Sequence, residues 1–163
     1  MKNPFPESDP DRHAIWEMLV ERDIAAYCAE DWSLTGADFQ ETGFFGLHAH
    51  GSDNPDKWLL DFPNLAAYRD EWLRQAASSA KIDYAEPLYE AIHRATSMQE
   101  IDLGDGVAIV RKKFDGSIRR SDGGEDVLNW QSLFFCAKNS GAWKITSFVG
   151  YLPNPMGQAS TFS

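Results

Sequence analysis

Carboxylates and imidazoles set among apolar residues are the first candidates for chemistry in this chain, because such surroundings change how readily a group holds its proton. Asp23 shares one face of an amphipathic segment with Trp16, Leu19, Val20, Ile24 and Tyr27. A carboxylate on that stripe either serves a pocket as acid, base or ligand anchor, or turns to the border and pairs with an arginine. His48 and His50 flank Ala49, so in extended backbone both imidazoles point the same way. Asp53 and Asp56 follow closely, and two imidazoles with a carboxylate suit an open zinc or iron site. Spacing supplies no third ligand, so no metal is assigned. The pair is either a proton relay or substrate hydrogen-bonding group at a pocket edge, or part of a structural loop. Asp31 and Asp38 stand at element boundaries, where Asp commonly caps a helix or turn. Asp38, just before Phe39, is also a candidate base. Trp130 and Tyr151 are rings that either line a cavity or pack a core or interface. There is no Gly-rich phosphate loop, no GxSxG elbow and no recognisable nucleophile context for Cys or Ser.

The elements that must position these residues divide the chain in two. Residues 1–8, with Pro4 and Pro6, read as a loose arm. Ser8 or Asp9 can cap a helix with Pro10 in its first turn, running to about Ala29 on a 3.6-residue apolar period. A short helix or turn over 30–36 leads into Ala37-Asp38-Phe39. A loop rich in Gly, His and Asp spans 43–57, and a second helix spans about 64–80, with Leu65, Tyr68, Trp72, Leu73 and Ala76 on one side. Period two then takes over: strands are expected at 88–98, 107–114, 127–138 and 143–151. Leu103-Gly104-Asp105-Gly106 and Asn139-Ser140-Gly141 are the tight turns, and a long polar connection covers 115–126. Pro153 and Pro155 end the last strand, and 154–163 form a tail.

The chain's 163 residues suffice for one core. Lys plus Arg total 15 against 25 for Asp plus Glu, a formal charge of −10 that opposes attachment to nucleic acid. The basic run Arg111-Lys112-Lys113 reads as a solvated sheet face. Cys28 and Cys136 lie far apart without a CxxC and read as reduced, buried thiols. No apolar run reaches the length of a membrane span and no secretory signal is visible, so a cytoplasmic protein is expected.

Several segments carry a family resemblance. These are Trp16 through Trp32, Ala37-Asp38-Phe39, Pro55-Asp56-Lys57-Trp58, Tyr68-Arg69-Asp70-Glu71-Trp72 and the ending Trp143-Lys144-Ile145-Thr146-Ser147-Phe148-Val149-Gly150-Tyr151-Leu152-Pro153. Over about residues 9–153 the chain resembles the NTF2-like superfamily, and more narrowly its SnoaL-like members. The resemblance implies a single α+β domain of the NTF2-like (cystatin-like) cone type, with N-terminal helices packed on a curved antiparallel sheet. It implies a pocket between sheet and first helix, a homodimer through the sheet, and no cofactor. Ligand contacts are expected from Tyr27, Asp31, Trp32, Trp58, Trp130 and Tyr151, and catalysis from Asp23, Asp38, His48 and His50. The outline is similar to ketosteroid isomerase, with Tyr27 near a donor position and Asp38 near that of a base. No strand Asp or Glu lies in apolar surroundings as a second donor, and there the sequence departs from the isomerase pattern. Two functions follow: a cofactor-independent acid–base enzyme of isomerase, dehydratase or cyclase type on a hydrophobic substrate, or a non-catalytic ligand-binding or dimerisation domain.

Overall fold

A computed structural model describes residues 2–157; the end of the expected tail, 158–163, lies outside them. The first helix is continuous but not uniform. It comprises α1 (Pro10–Trp16), a π-helical turn (Glu17–Arg22) and α2 (Asp23–Cys28). Pro10 occupies the first turn as expected, but the Asp9 carboxylate makes no cap and instead accepts from Arg12 Nη1 at 3.2 Å. Before the helix, Phe5 packs against the core and Asn3 Nδ2 donates to Glu17 Oε1 at 3.0 Å.

Two 3₁₀ turns (Trp32–Leu34, Gly36–Asp38) lead into β1 (Phe45–His48), and a third (Pro55–Lys57) leads into β2 (Leu59–Phe62). The segment expected as loop thus yields a strand: β1 runs parallel to the last strand, Phe45 opposite Ser147 and His48 opposite Gly150. Its brevity hid it, since only four residues pair. Helix α3 (Leu65–Ala80) is capped by Asn64, whose side chain accepts from Ala67 N at 2.9 Å.

The strand expected over 88–98 is corrected in its first part. Residues Leu88–Ala95 form a helix, α4, and β3 (Thr96–Leu103) begins only afterwards. Leu88, Ala91, Ile92 and Ala95 fall at helical spacing behind Pro87, and all but Leu88 are buried. The long connection over 115–126 is also shorter than expected. β4 (Val107–Arg119) and β5 (Glu125–Asn139) pair from Val107 opposite Ala137 to Arg119 opposite Glu125, leaving a tight turn between them. β6 (Ala142–Leu152) completes a six-stranded sheet in the order β2-β1-β6-β5-β4-β3, antiparallel but for the β1–β6 pair. Register shifts near Leu133 and Cys136 in β5 mark bulges of the kind that bend a strand.

Ile15, Trp16, Met18, Leu19, Val20 and Ile24 of the first helix pack in one cluster with Val110, Phe134, Cys136, Ile145 and Phe148 of the sheet. The helices cover a single face, and on the other face Val107, Ile109 and Val127 are exposed. Among the described residues no helix is long and apolar enough to cross a membrane.

Candidate functional site

Between the first helix, α3, α4 and the inner face of β4, β5 and β6 lies a cavity of about 240 Å³. Its walls are mostly apolar: Ile24, Trp72, Leu88, Ile92, Phe114, Ile118, Leu128, Trp130, Phe134 and Phe148. Its polar lining includes Tyr84, which donates to Asp126 at 2.7 Å, and a group where the first helix meets the sheet. Asp23 opens α2 directly after the π turn, on the inward side, and its Oδ2 accepts from Lys112 Nζ at 2.9 Å while Oδ1 accepts from Trp72 Nε1 at 3.2 Å. Lys112 Nζ also donates to the Leu19 carbonyl, inside the π turn, at 2.6 Å. Its ammonium stands 5.2 Å from the Phe114 ring centroid. The Lys112 side chain is only 3% exposed and that of Asp23 26%, so this ion pair is a property of the interior.

The basic run is therefore corrected at its centre. Strand alternation puts Arg111 and Lys113 outside, on Glu100 at 3.4 and 2.6 Å, and swings Lys112 inward beside Val110 and Phe114. The same alternation carried the signal: Ala108, Val110, Lys112 and Phe114 share one apolar face. Nor does Asp23 pair with an arginine at the stripe's border, as one reading of the sequence had it.

Two further polar groups belong to α3. Tyr27 OH donates to the Gln75 carbonyl at 3.0 Å and lies 2.7 Å from Ser79 Oγ, while Gln75 Nε2 donates to Tyr151 Oη at 2.9 Å. This lattice fixes Tyr27 and Tyr151 at the cavity edge. Tyr68, by contrast, lines the cavity with no hydrogen bond to its hydroxyl among the described residues. Burial first, then the charge of Asp23, pushes its phenol well above the ordinary range, so it is a neutral O–H donor at any physiological pH. Burial raises Tyr27 and Tyr151 likewise. Tyr68 could have been read from its place on the apolar stripe of the 64–80 segment.

Four of the expected residues therefore meet at one cavity: Asp23, Tyr27, Trp130 and Tyr151. The others do not line it. Asp38 is gripped by Arg22 through both oxygens, at 2.9 and 3.0 Å. Asp31 caps its turn, accepting from Ser33 N at 3.0 Å. Trp32 stacks on Phe39 and abuts Trp72 in the aromatic core. Trp58 donates to the Ser52 carbonyl at 2.8 Å under the β1–β2 connection.

His48 and His50 stack on each other with ring centroids 3.8 Å apart, and Tyr151 stacks on the other side of His48 at 4.2 Å. A left-handed backbone at His50 (φ 50°) folds its ring back over the strand end. The carboxylate beside them is Asp61, rather than Asp53 or Asp56, with Oδ2 2.9 Å from His50 Nε2. Together His48, His50 and Asp61 offer three metal-ligating atoms within 4.8 Å of one another. Two features oppose metal binding: the rings lie face to face instead of converging, and His48 Nδ1 already accepts from His50 N at 3.0 Å. Burial and the neighbouring His50 lower the His48 pKa to about 4.

No protein-family profile matches the sequence, and no curated protein sequence matches it. Solved structures do. An NTF2-like protein of unknown function from Shewanella baltica OS155 aligns with a TM-score of 0.56 at 16% identity, over 88% of this chain and 94% of that one. A second, from Silicibacter pomeroyi DSS-3, gives 0.54 at 14% identity, over 90% and 98%. The beta subunit of the benzoate 1,2-dioxygenase from Burkholderia mallei gives 0.57 at 17% identity, over 95% of each chain. At these identities the likeness is one of fold.

Proposed function

We propose that this chain, whose fold is NTF2-like, is a SnoaL-like pocket protein that binds a hydrophobic, ring-bearing small molecule between its first helix and its sheet. The observation that carries the reading is the cavity itself: an aromatic-walled space that the Asp23–Lys112 pair and Tyr68 also line. Apolar walls with a few convergent polar groups are what a small-molecule site needs.

An acid–base reaction on the bound molecule is the second reading, and Asp23 alone favours it, since it is the one expected catalytic residue at the cavity. Asp38, His48 and His50 have no part in such a mechanism here. If chemistry occurs, Asp23 exchanges the proton and Tyr68 stabilises the oxygen on which charge develops. The exposed apolar face of β4 and β5 supports a homodimer through the sheet, and the free thiols Cys28 and Cys136 suit a cytoplasmic setting.

The test is to fill the cavity. Leu128→Trp projects a ring into the space, and titration of naphthalene-type probes by calorimetry compares it with the wild type. Loss of binding with an unchanged circular dichroism spectrum supports the pocket; equal binding by the two proteins sinks it. For the second reading, deuterium exchange at acidic C–H positions of a bound ketone is followed by NMR. Exchange that survives Asp23→Asn removes Asp23 as the base.

A further inference from the structure

A column of rings runs from the surface to the cavity wall. Exposed His50 lies on His48 with centroids 3.8 Å apart, His48 lies on Tyr151 at 4.2 Å, and Tyr151 stands beside Trp130 at 5.6 Å. Tyr151 and Trp130 both line the cavity. Backbone bonds fix the outer half of the column. The His50 N–H donates to His48 Nδ1 at 3.0 Å, and a backbone N–H can only donate, so Nδ1 presents a lone pair. The next amide, that of Gly51, donates to the Tyr151 carbonyl at 2.9 Å. His50 (φ 50°) and Tyr151 (φ 59°) are both left-handed, a conformation that bulky side chains keep only where their surroundings impose it.

We propose that His48 is an acid-sensitive latch: a proton on its Nδ1 displaces the His50 N–H, the left-handed turn at His50-Gly51 relaxes, and Tyr151 is released from the cavity wall. The effect on the cavity rests on the pocket reading, whereas the latch does not. No other nitrogen can take the proton, because neutral His48 with a lone pair on Nδ1 already carries its one N–H on Nε2. Charged groups face the ring from three elements. His50 in the same turn opposes a charge on His48, while Asp61 of β2 and Glu71 of α3 favour it. Asp61 is shared with His50 Nε2 at 2.9 Å, and Glu71 accepts from Arg74 at 2.6 Å. Tyr151 of β6 covers the ring with a phenol that burial keeps neutral. Burial and His50 prevail in the stacked state, holding the His48 pKa to about 4 against the ordinary 6.5 of a released ring. Acid therefore favours release, and the ratio of released to stacked forms rises by up to about tenfold between pH 7.5 and 5.5.

Hydrogen exchange of backbone amides on the ligand-free full chain, followed by NMR and corrected for the intrinsic pH dependence of exchange, reads the latch directly. Protection of the His50 amide should fall by about five- to tenfold from pH 7.5 to 5.5, with the Gly51 amide following and that of Val110, inside the sheet, unchanged. His48→Asn supplies an oxygen that accepts the same N–H two residues on and does not titrate, so the response should disappear. His50→Asn, a residue that tolerates left-handed backbone, should keep most of it. A flat His50 amide in the wild type, a response that survives in His48→Asn, or one that vanishes in His50→Asn overturns the latch. So does an equal fall at Val110, which would mean general loosening in acid. Naphthalene is the probe for the cavity, and its dissociation rate by stopped flow should rise with the loss of His50 protection. An unchanged rate with the amide response intact overturns the link to the cavity. If naphthalene binds at neither pH, the pocket reading falls and the amide response alone decides the latch.

Discussion

Replacing Lys112 by Met tests whether the ion pair behind the cavity is as interior as its geometry indicates. Methionine keeps the apolar stem and removes the ammonium. Among the described residues Asp23 then retains only Trp72 Nε1, and the Leu19 carbonyl loses the donor that reaches it from β4. Stranding one member of a buried pair costs about 3–5 kcal/mol. Asp23, 26% exposed, is partly relieved by the cavity, so the expected loss is roughly 2–3 kcal/mol, a fall in Tm of about 5–10 °C for a domain of this size. Removing both charges, with Asp23→Leu added, returns stability to within about 1 kcal/mol of wild type, because two apolar side chains need no partner. Urea unfolding followed by tryptophan fluorescence and circular dichroism measures all three variants. A single-variant cost below about 0.5 kcal/mol, the range of an exposed pair, or a double variant whose cost is the sum of the two singles, would refute the coupling.

The remaining predictions probe separate regions. His48, held neutral by burial with its pKa near 4 against an ordinary 6.5, binds fewer protons folded than unfolded between those values. Its contribution is therefore whole above pH 6.5 and lost as pH falls toward 4, by roughly 1–2 kcal/mol after allowing for a half-buried ring. His48→Phe should flatten the stability curve in that window relative to wild type, and an unchanged difference across it contradicts the assignment. Gly46→Ala drives a Cβ into the buried Phe148 ring at the β1–β6 junction; urea unfolding should show a loss of about 1–3 kcal/mol. Burial pushes the Cys136 thiol up to about 12 and that of Cys28 to about 11, so neither should react with iodoacetamide at pH 8 until the chain is unfolded, as read by mass spectrometry. Ile109→Glu places a charge on the exposed sheet face; light scattering should show the wild type as a dimer and the variant as a monomer.

The sequence was most legible where one pattern dominated. The apolar stripe of 10–28 and of α3, and the turns at Gly104-Asp105-Gly106 and Asn139-Ser140-Gly141, lie where expected, with Gly106, Ser140 and Gly141 in the left-handed backbone such turns require. Misreadings came where two periods compete. In 88–95, Leu, Tyr, Ala, Ile and His satisfy a helix and an alternating strand almost equally, and only packing against α2 and β4 decides for the helix. β1 could not be recognised in isolation, because its four residues become a strand through parallel pairing with β6, about a hundred positions later. The candidate site divided in the same way. Asp23 stood out because a carboxylate on an apolar stripe breaks its pattern. Lys112 was concealed because a lysine between Arg111 and Lys113 looks like charge on a solvated face, until strand alternation is applied residue by residue.

The energetics of Asp23 and Lys112 bear directly on what the cavity is for. An internal ion pair seldom adds stability over apolar side chains that fill the same space, since desolvation consumes most of its attraction. Stability alone would have favoured closing this space with Leu and Met, in contact with Phe134 and Phe148. Instead a π turn widens the first helix at Leu19, its carbonyl meets Lys112, and Asp23 follows on the next turn facing the same ammonium. π turns tend to occur where a helix serves a site. The pair also ties the first helix to β4 at one position beside the cavity. A double variant that folds as firmly as wild type yet no longer binds a ring-bearing probe would therefore mean that the charges are kept for the occupant of the cavity.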